Sequence, residues 1–274
     1  MNVDIQLAET QVRIAYLRSG NGAPLILLPG VGSRKEEWST VLDRLADRHD
    51  VVAMDLPGFG ASGPLPDTVA SDVDTLTDAV AAAIDALGLG LPHVAGNSLG
   101  GAVALELARR GRVVSTTAVA PIGFWSRIER WYAVMLLRAM HRTGRALRSQ
   151  LPAAVDRPAL RRSLFALTYR RADRMSAADA VARLIAFLDA EGFVRTLRTT
   201  RHYRYPGGDP PRVTVCWGTR DRLLPPRQAK RARRQLRRAR HVWLPGCGHV
   251  AMSDDPALVS DAILSTTAEA GSGR

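Results

Sequence analysis

Cysteine is nearly absent from this chain. Only Cys216 and Cys247 occur, without metal-ligand spacing, which excludes a disulfide framework and a zinc ribbon or finger. No Gly-rich phosphate loop and no internal repeat is present, so neither a cofactor nor a metal is expected. The first residues, Met1-Asn2-Val3-Asp4-Ile5-Gln6, lack the basic start and apolar run of a secretory signal. Long apolar runs are also missing. The longest stretch without Asp, Glu, Lys or Arg, residues 86–105, contains several glycines, Pro92, His93 and Asn97, so it reads as a buried strand-turn-helix rather than a membrane span. The expectation is a soluble, cytoplasmic protein. Lysine is scarce too: of 38 basic residues only Lys35 and Lys230 are lysines. An arginine bias that general points to a GC-rich coding sequence. The net charge of +12 is therefore a weak argument for nucleic acid, and no reader motif accompanies it.

What is present is ample apolar material: 274 residues at 46% hydrophobic suit one domain with an insertion. Residues 4–7 and 12–17 read as a hairpin, and 24–28 as a buried strand running into Pro29-Gly30-Val31-Gly32. A helix is expected over 36–46, a strand over 50–54 and an amphipathic helix over 72–87. Residues 113–120 read as another strand. The alternation stops at Pro121, resumes with a strand at 213–218, and continues through a basic helix (226–238), a strand (241–244) and a helix (255–267). Residues 268–274 read as a frayed tail. Strands alternating with helices predict an α/β fold with a doubly wound, mostly parallel sheet. Its core is residues 1–120 and 207–274, interrupted by a helical, Arg-rich insertion at 121–206. Charge follows the same division: 1–120 sums to −5, 121–206 to +11 and 207–274 to +6.

The chemistry centres on Gly96-Asn97-Ser98-Leu99-Gly100, between an apolar strand (93–95) and a helix beginning at Gly101. Gly-x-Ser-x-Gly at such a junction is a tight turn that lifts the serine hydroxyl clear of the sheet. A serine needs a base, and the base needs a group to fix its tautomer. Of six histidines, only His249 lies in a Gly-flanked loop after a late strand, at the carboxyl edge where ligands gather in open α/β sheets. His93 starts the elbow strand, His49 and His241 flank strands on their N-terminal sides, and His141 and His202 belong to the insertion. Asp221, after Trp217-Gly218-Thr219-Arg220, is the expected orienting acid. Asp209 precedes its strand, while Asp254 and Asp255 read as caps of the last helix. The oxyanion is expected to meet the backbone N–H groups of Leu99 and Val31. Cys216 reads as a core thiol, and Cys247 either as filler or as part of the site.

Elbow, acid, histidine and oxyanion loop follow the chain order of the α/β-hydrolases, and this sequence resembles that superfamily outside the insertion. Asp55-Leu56-Pro57-Gly58-Phe59-Gly60-Ala61-Ser62 resembles the family's loop after the fourth strand, with Asp55 structural. Pro29 departs from the histidine that many members carry before the oxyanion glycine. The resemblance implies a Ser98–His249–Asp221 triad under a cap formed by the insertion, with Trp125, Trp131 and Val250 as substrate contacts. Dehalogenases and epoxide hydrolases of this fold attack with aspartate at the elbow, so Ser98 points to acyl transfer through a serine ester. Hydrolysis of a carboxylic ester, thioester or related acyl bond is the expected activity. Gly96-Asn97-Ser98-Leu99-Gly100-Gly101 also resembles the meta-cleavage-product hydrolases, although Val250 stands where they usually carry Trp. A carbon–carbon hydrolase therefore remains an alternative, as do an acyltransferase or cyclase and a triad-bearing ligand-binding protein. The cap's charge leaves three readings open: a solvated face, an anionic substrate, or a carrier-bound acyl group.

Overall fold

The computed structural model describes residues 1–7 and 9–271. In chain order it has β1 (Asn2–Leu7), β2 (Thr10–Ser19), β3 (Ala23–Leu28), α1 (Ser39–Ala46), β4 (His49–Met54), α2 (Val73–Ala86), β5 (His93–Asn97), α3 (Leu99–Arg109) and β6 (Ser115–Val119). Five helices follow without a strand: α4 (Arg127–Ala146), α5 (Leu151–Asp156), α6 (Pro158–Phe165), α7 (Ala177–Asp189) and α8 (Phe193–Thr200). The chain then returns as β7 (Val213–Gly218), α9 (Arg227–Gln235), β8 (Arg240–Leu244), α10 (Ala251–Asp254) and α11 (Pro256–Gly271).

The strands form one sheet in the order β1-β2-β4-β3-β5-β6-β7-β8. β2 runs antiparallel to β1 and β4, and every later pairing is parallel. Both faces are covered, as a parallel sheet requires. Alternate side chains show how. Ile26 and Leu28 of β3 join a core with Leu76, Val80 and Ile84 of α2 and Val103 of α3, while Leu25 and Leu27 join another with Val41 and Leu45 of α1 and Val259 and Ile263 of α11. α2 starts where Asp72 accepts the Thr75 N–H at 2.9 Å. α4 starts at a reciprocal capping box between Ser126 and Glu129.

Two local expectations change. The helix expected over 36–46 divides into a 3₁₀ turn, Lys35–Trp38, followed by α1. Asp55 holds the start of that turn, accepting the Lys35 backbone N–H at 2.6 Å and its ammonium at 2.8 Å. The expected tail is helical as far as Gly271, with Ala270 buried; residues 272–274 lie outside the described residues. Among the described residues, no helix is long and apolar enough to cross a membrane.

Candidate active site

Because β3, β5, β7 and β8 are parallel, the loops that follow them all open at one edge of the sheet. Those loops carry Val31, Ser98, Asp221 and His249. Ser98 occupies the turn between β5 and α3 with φ 55° and ψ −111°, a conformation that a non-glycine residue adopts at a cost. Its neighbours enforce the turn. A Cβ on Gly96 would lie 2.1 Å from the Gly100 carbonyl oxygen, and one on Gly100 would lie 2.3 Å from that of Leu28. The Ser98 N–H donates to the Val119 carbonyl at 2.9 Å, which ties the strained residue to β6.

Asp221 is buried, and each carboxylate oxygen is engaged. Oδ1 accepts the N–H groups of Leu223 (2.9 Å) and Leu224 (2.8 Å), while Oδ2 lies 2.8 Å from His249 Nδ1. A carboxylate accepts, so Nδ1 carries the proton and Nε2 keeps its lone pair. Asn97, beside the serine, donates from Nδ2 to the His249 carbonyl at 3.0 Å, joining elbow and histidine loop directly. The other histidines have separate roles. His93 bonds Ser115 and His49 bonds Ala23 and Thr267. His241 bonds Leu236, His202 pairs with Arg201, and His141 stacks on Phe193 at 4.5 Å.

Asp254, expected as a helix cap, braces this site instead. Asp254 is buried, and its Oδ2 accepts the Gly248 N–H at 2.7 Å, one residue before His249. Its Oδ1 accepts the N–H groups of Arg170 and Arg171, both at 2.8 Å. Burial raises its pKa despite these three donors. The Val250 N–H adds a bond to the Thr168 carbonyl at 3.0 Å, so the histidine loop and the 168–171 segment are fastened together. Asp255 does cap α11, accepting the Leu258 N–H at 3.1 Å. No periodicity marks Asp254, since two of its three partners lie 83 and 84 residues away.

Ser98 and His249 line one cavity of about 350 Å³. Gly30 and Val31 form its floor beside the elbow, and Leu99 is the first residue of α3. Leu137, Met140, Leu164, Phe165, Leu184 and Phe187 give it an apolar wall from the helices between β6 and β7. Phe187 packs so closely on Gly32 that a Cβ there would lie 2.6 Å from its ring. Of the expected substrate contacts, Val250 lines the cavity but Trp125 and Trp131 do not. Trp125 is buried in the core and donates to the Tyr203 carbonyl at 3.1 Å, while Trp131 stands 66% exposed on the outer face of α4. Cys216 is a core thiol as expected. Cys247 is buried away from the cavity, and burial pushes its pKa up to about 12. Asp55 is structural in its bonding: besides Lys35 it accepts the Ala61 N–H at 2.9 Å.

The alpha/beta hydrolase family matches residues 25–262. The chain is 32% identical over 231 residues to the dihydrolipoyllysine-residue acetyltransferase component of the acetoin cleaving system of Cupriavidus necator, covering 81% of this chain and 58% of that one. It thus spans about three fifths of the acetyltransferase components it matches. It is also 32% identical over 202 residues to the epoxide hydrolase EphH of Mycobacterium tuberculosis, covering 69% of this chain and 92% of that one. A thermophilic esterase from Thermogutta terrifontis superposes with TM-score 0.78 at 20% identity, covering 98% of this chain and 99% of the esterase.

Proposed function

The chain belongs to the alpha/beta hydrolase family, and on that premise we propose that it is a serine hydrolase cleaving a carboxylic ester, thioester or related acyl bond. The observation that carries the reading is the strained Ser98, which shares one cavity with a histidine whose tautomer is fixed by Asp221. His249 Nε2 takes the proton as Ser98 Oγ attacks the carbonyl carbon. Asp221 holds the imidazolium that results. The negative oxygen is received by the N–H groups of Val31 and Leu99; the latter begins a helix, where N–H groups have no helical partner. Collapse of the tetrahedral species expels the alcohol or thiol with the proton from His249, and water then releases the acyl group by the same steps. Residues 121–206 act as a cap over the core formed by 1–120 and 207–274, and their apolar wall and Val250 receive the acyl chain.

A serine rather than an aspartate at the elbow argues against the epoxide chemistry named for the mycobacterial relative. Acyl transfer to an acceptor other than water is a second reading, favoured by the likeness to the acetyltransferase components. Both pass through the same acyl-enzyme. A fluorophosphonate probe should add one adduct to the intact protein and none to Ser98→Ala. An ester and thioester panel with and without added thiol or alcohol then separates hydrolysis from transfer by the product formed. A folded Ser98→Ala protein with full turnover would refute the mechanism.

A further inference from the structure

One part of the cavity wall is polar, and it joins the core to the helical segment. Glu37, in the 3₁₀ turn after β3, is buried. Its Oε1 accepts the Tyr169 hydroxyl at 2.8 Å and lies 3.6 Å from Arg183 Nη1, and its Oε2 accepts the Ser33 hydroxyl. Arg183, on α7, also donates to the Tyr169 oxygen at 3.2 Å, with its guanidinium carbon 5.5 Å from that ring's centre. All four residues line the cavity.

Charge around this cavity differs from charge along the chain. Its lining contains two cations, Arg34 and Arg183, and three carboxylates, Glu36, Glu37 and Asp179, a balance of −1 with His249 neutral. Both cations are already matched: Arg34 Nε lies 3.3 Å from Glu36, and Arg183 faces Glu37. A carboxylate entering here would lose hydration, meet Glu37 as a like charge, and find the neighbouring guanidinium engaged.

We propose that Glu37 is a specificity-determining residue which, by neutralising Arg183, restricts the cavity to uncharged acyl groups and turns away those ending in a carboxylate. The proposal rests on the acyl-bond reading of Ser98 for its kinetic test, but not for its binding test. Glu37→Gln is isosteric and retains an acceptor for Tyr169, yet it removes the carboxylate that faces Arg183, leaving that charge the longer-range attraction of Asp179.

The kinetic test compares activated esters of equal length whose acyl chains end in a carboxylate or in its primary amide. Wild type should favour the amide in kcat/KM by about tenfold or more, the scale expected of one charge at close range in a partly desolvated site. Glu37→Gln should raise the carboxylate-to-amide ratio at least about tenfold, and Glu37→Gln/Arg183→Gln should return it toward the middle. If Glu37→Gln does not fold, Arg183→Gln serves instead and should lower the ratio further. Wild type favouring the carboxylate, or a ratio unmoved in folded variants, overturns the proposal. Calorimetry on Ser98→Ala, with and without Glu37→Gln, measures binding of the corresponding free diacid monoamide and diamide without turnover. Preference for the diamide that reverses with Glu37→Gln supports the selectivity even if no ester is cleaved, a result that would refute only the hydrolase reading. Equal binding in both proteins overturns the selectivity itself.

Discussion

Replacing Asp254 by alanine should weaken the histidine loop more than it weakens the fold. The carboxylate accepts three backbone N–H groups: Gly248 at 2.7 Å, and Arg170 and Arg171 at 2.8 Å each. Bonds to a charged acceptor contribute about 1.5–3 kcal/mol apiece, or roughly 4–9 kcal/mol for three. The desolvation that raises the Asp254 pKa offsets much of this, leaving an expected loss of about 2–4 kcal/mol. For a chain of this size that lowers Tm by roughly 3–8 °C. Activity should fall further than that loss implies. A displacement of about 1 Å in a reacting group costs up to ~100-fold, and Gly248 adjoins His249. Fluorophosphonate labelling, followed at a temperature where the variant is folded, should slow by about 10- to 100-fold. Asp254→Asn separates the two halves of the brace. Its amide oxygen can keep the bonds from Arg170 and Arg171, which turns its NH₂ toward the Gly248 N–H. That variant should retain most of the Tm and still label slowly. Wild-type labelling by folded Asp254→Ala would refute the coupling.

His249→Ala should reduce kcat by about 10⁴-fold or more, and Asp221→Asn by somewhat less, with the double variant little worse than His249→Ala; independent, multiplicative losses would place His249 outside the unit. Acid should loosen α4, because Glu129 is buried at its first turn: burial raises its pKa, but the Ser126 N–H and Arg227 more than reverse this and hold it below the usual glutamate range. A depressed carboxylate adds stability above its unfolded pKa and loses it as pH falls through the folded one, so the Tm advantage of wild type over Glu129→Gln should shrink steadily below about pH 4.5; a constant gap from pH 7 to 3 would refute it.

The sheet was legible because its period-two and helical patterns are local. Ile26 and Leu25 alternate between two cores within one apolar strand, and residues 72–87 cover Val73–Ala86 together with its Asp72 cap. The Ser98, Asp221 and His249 loops were legible for a related reason: each follows a strand, and parallel topology delivers strand ends to one edge. The cavity wall was not. Trp125 and Trp131 are large apolar residues, yet Trp125, in the loop before α4, packs into the core and Trp131 of α4 faces solvent, whereas Leu137 and Met140 of α4 reach the cavity. Glu37, Tyr169 and Arg183 come from separate elements, up to 146 residues apart in the chain, and meet only in three dimensions.

The same distinction governs the charge of residues 121–206. Their sum of +11 counts guanidiniums without regard to what they touch. Arg161 is buried, and its guanidinium donates to the Val155 carbonyl at 2.6 Å and the Ala172 carbonyl at 3.3 Å. Arg195 of α8 reaches the core, bonding the carbonyls of Leu65, Pro66 and Val69. Arg204 bonds the Trp125 carbonyl, and Arg148 pairs with Asp189. Arg161, Arg195 and Arg204 tie segments together through backbone carbonyls, as planar five-donor forks are suited to do, and Arg148 closes an ion pair. Reversing Arg161 therefore probes folding, whereas reversing exposed Arg162 probes the surface field. Selection inside the cavity is governed at shorter range by Glu37, whose carboxylate faces whatever the apolar wall admits.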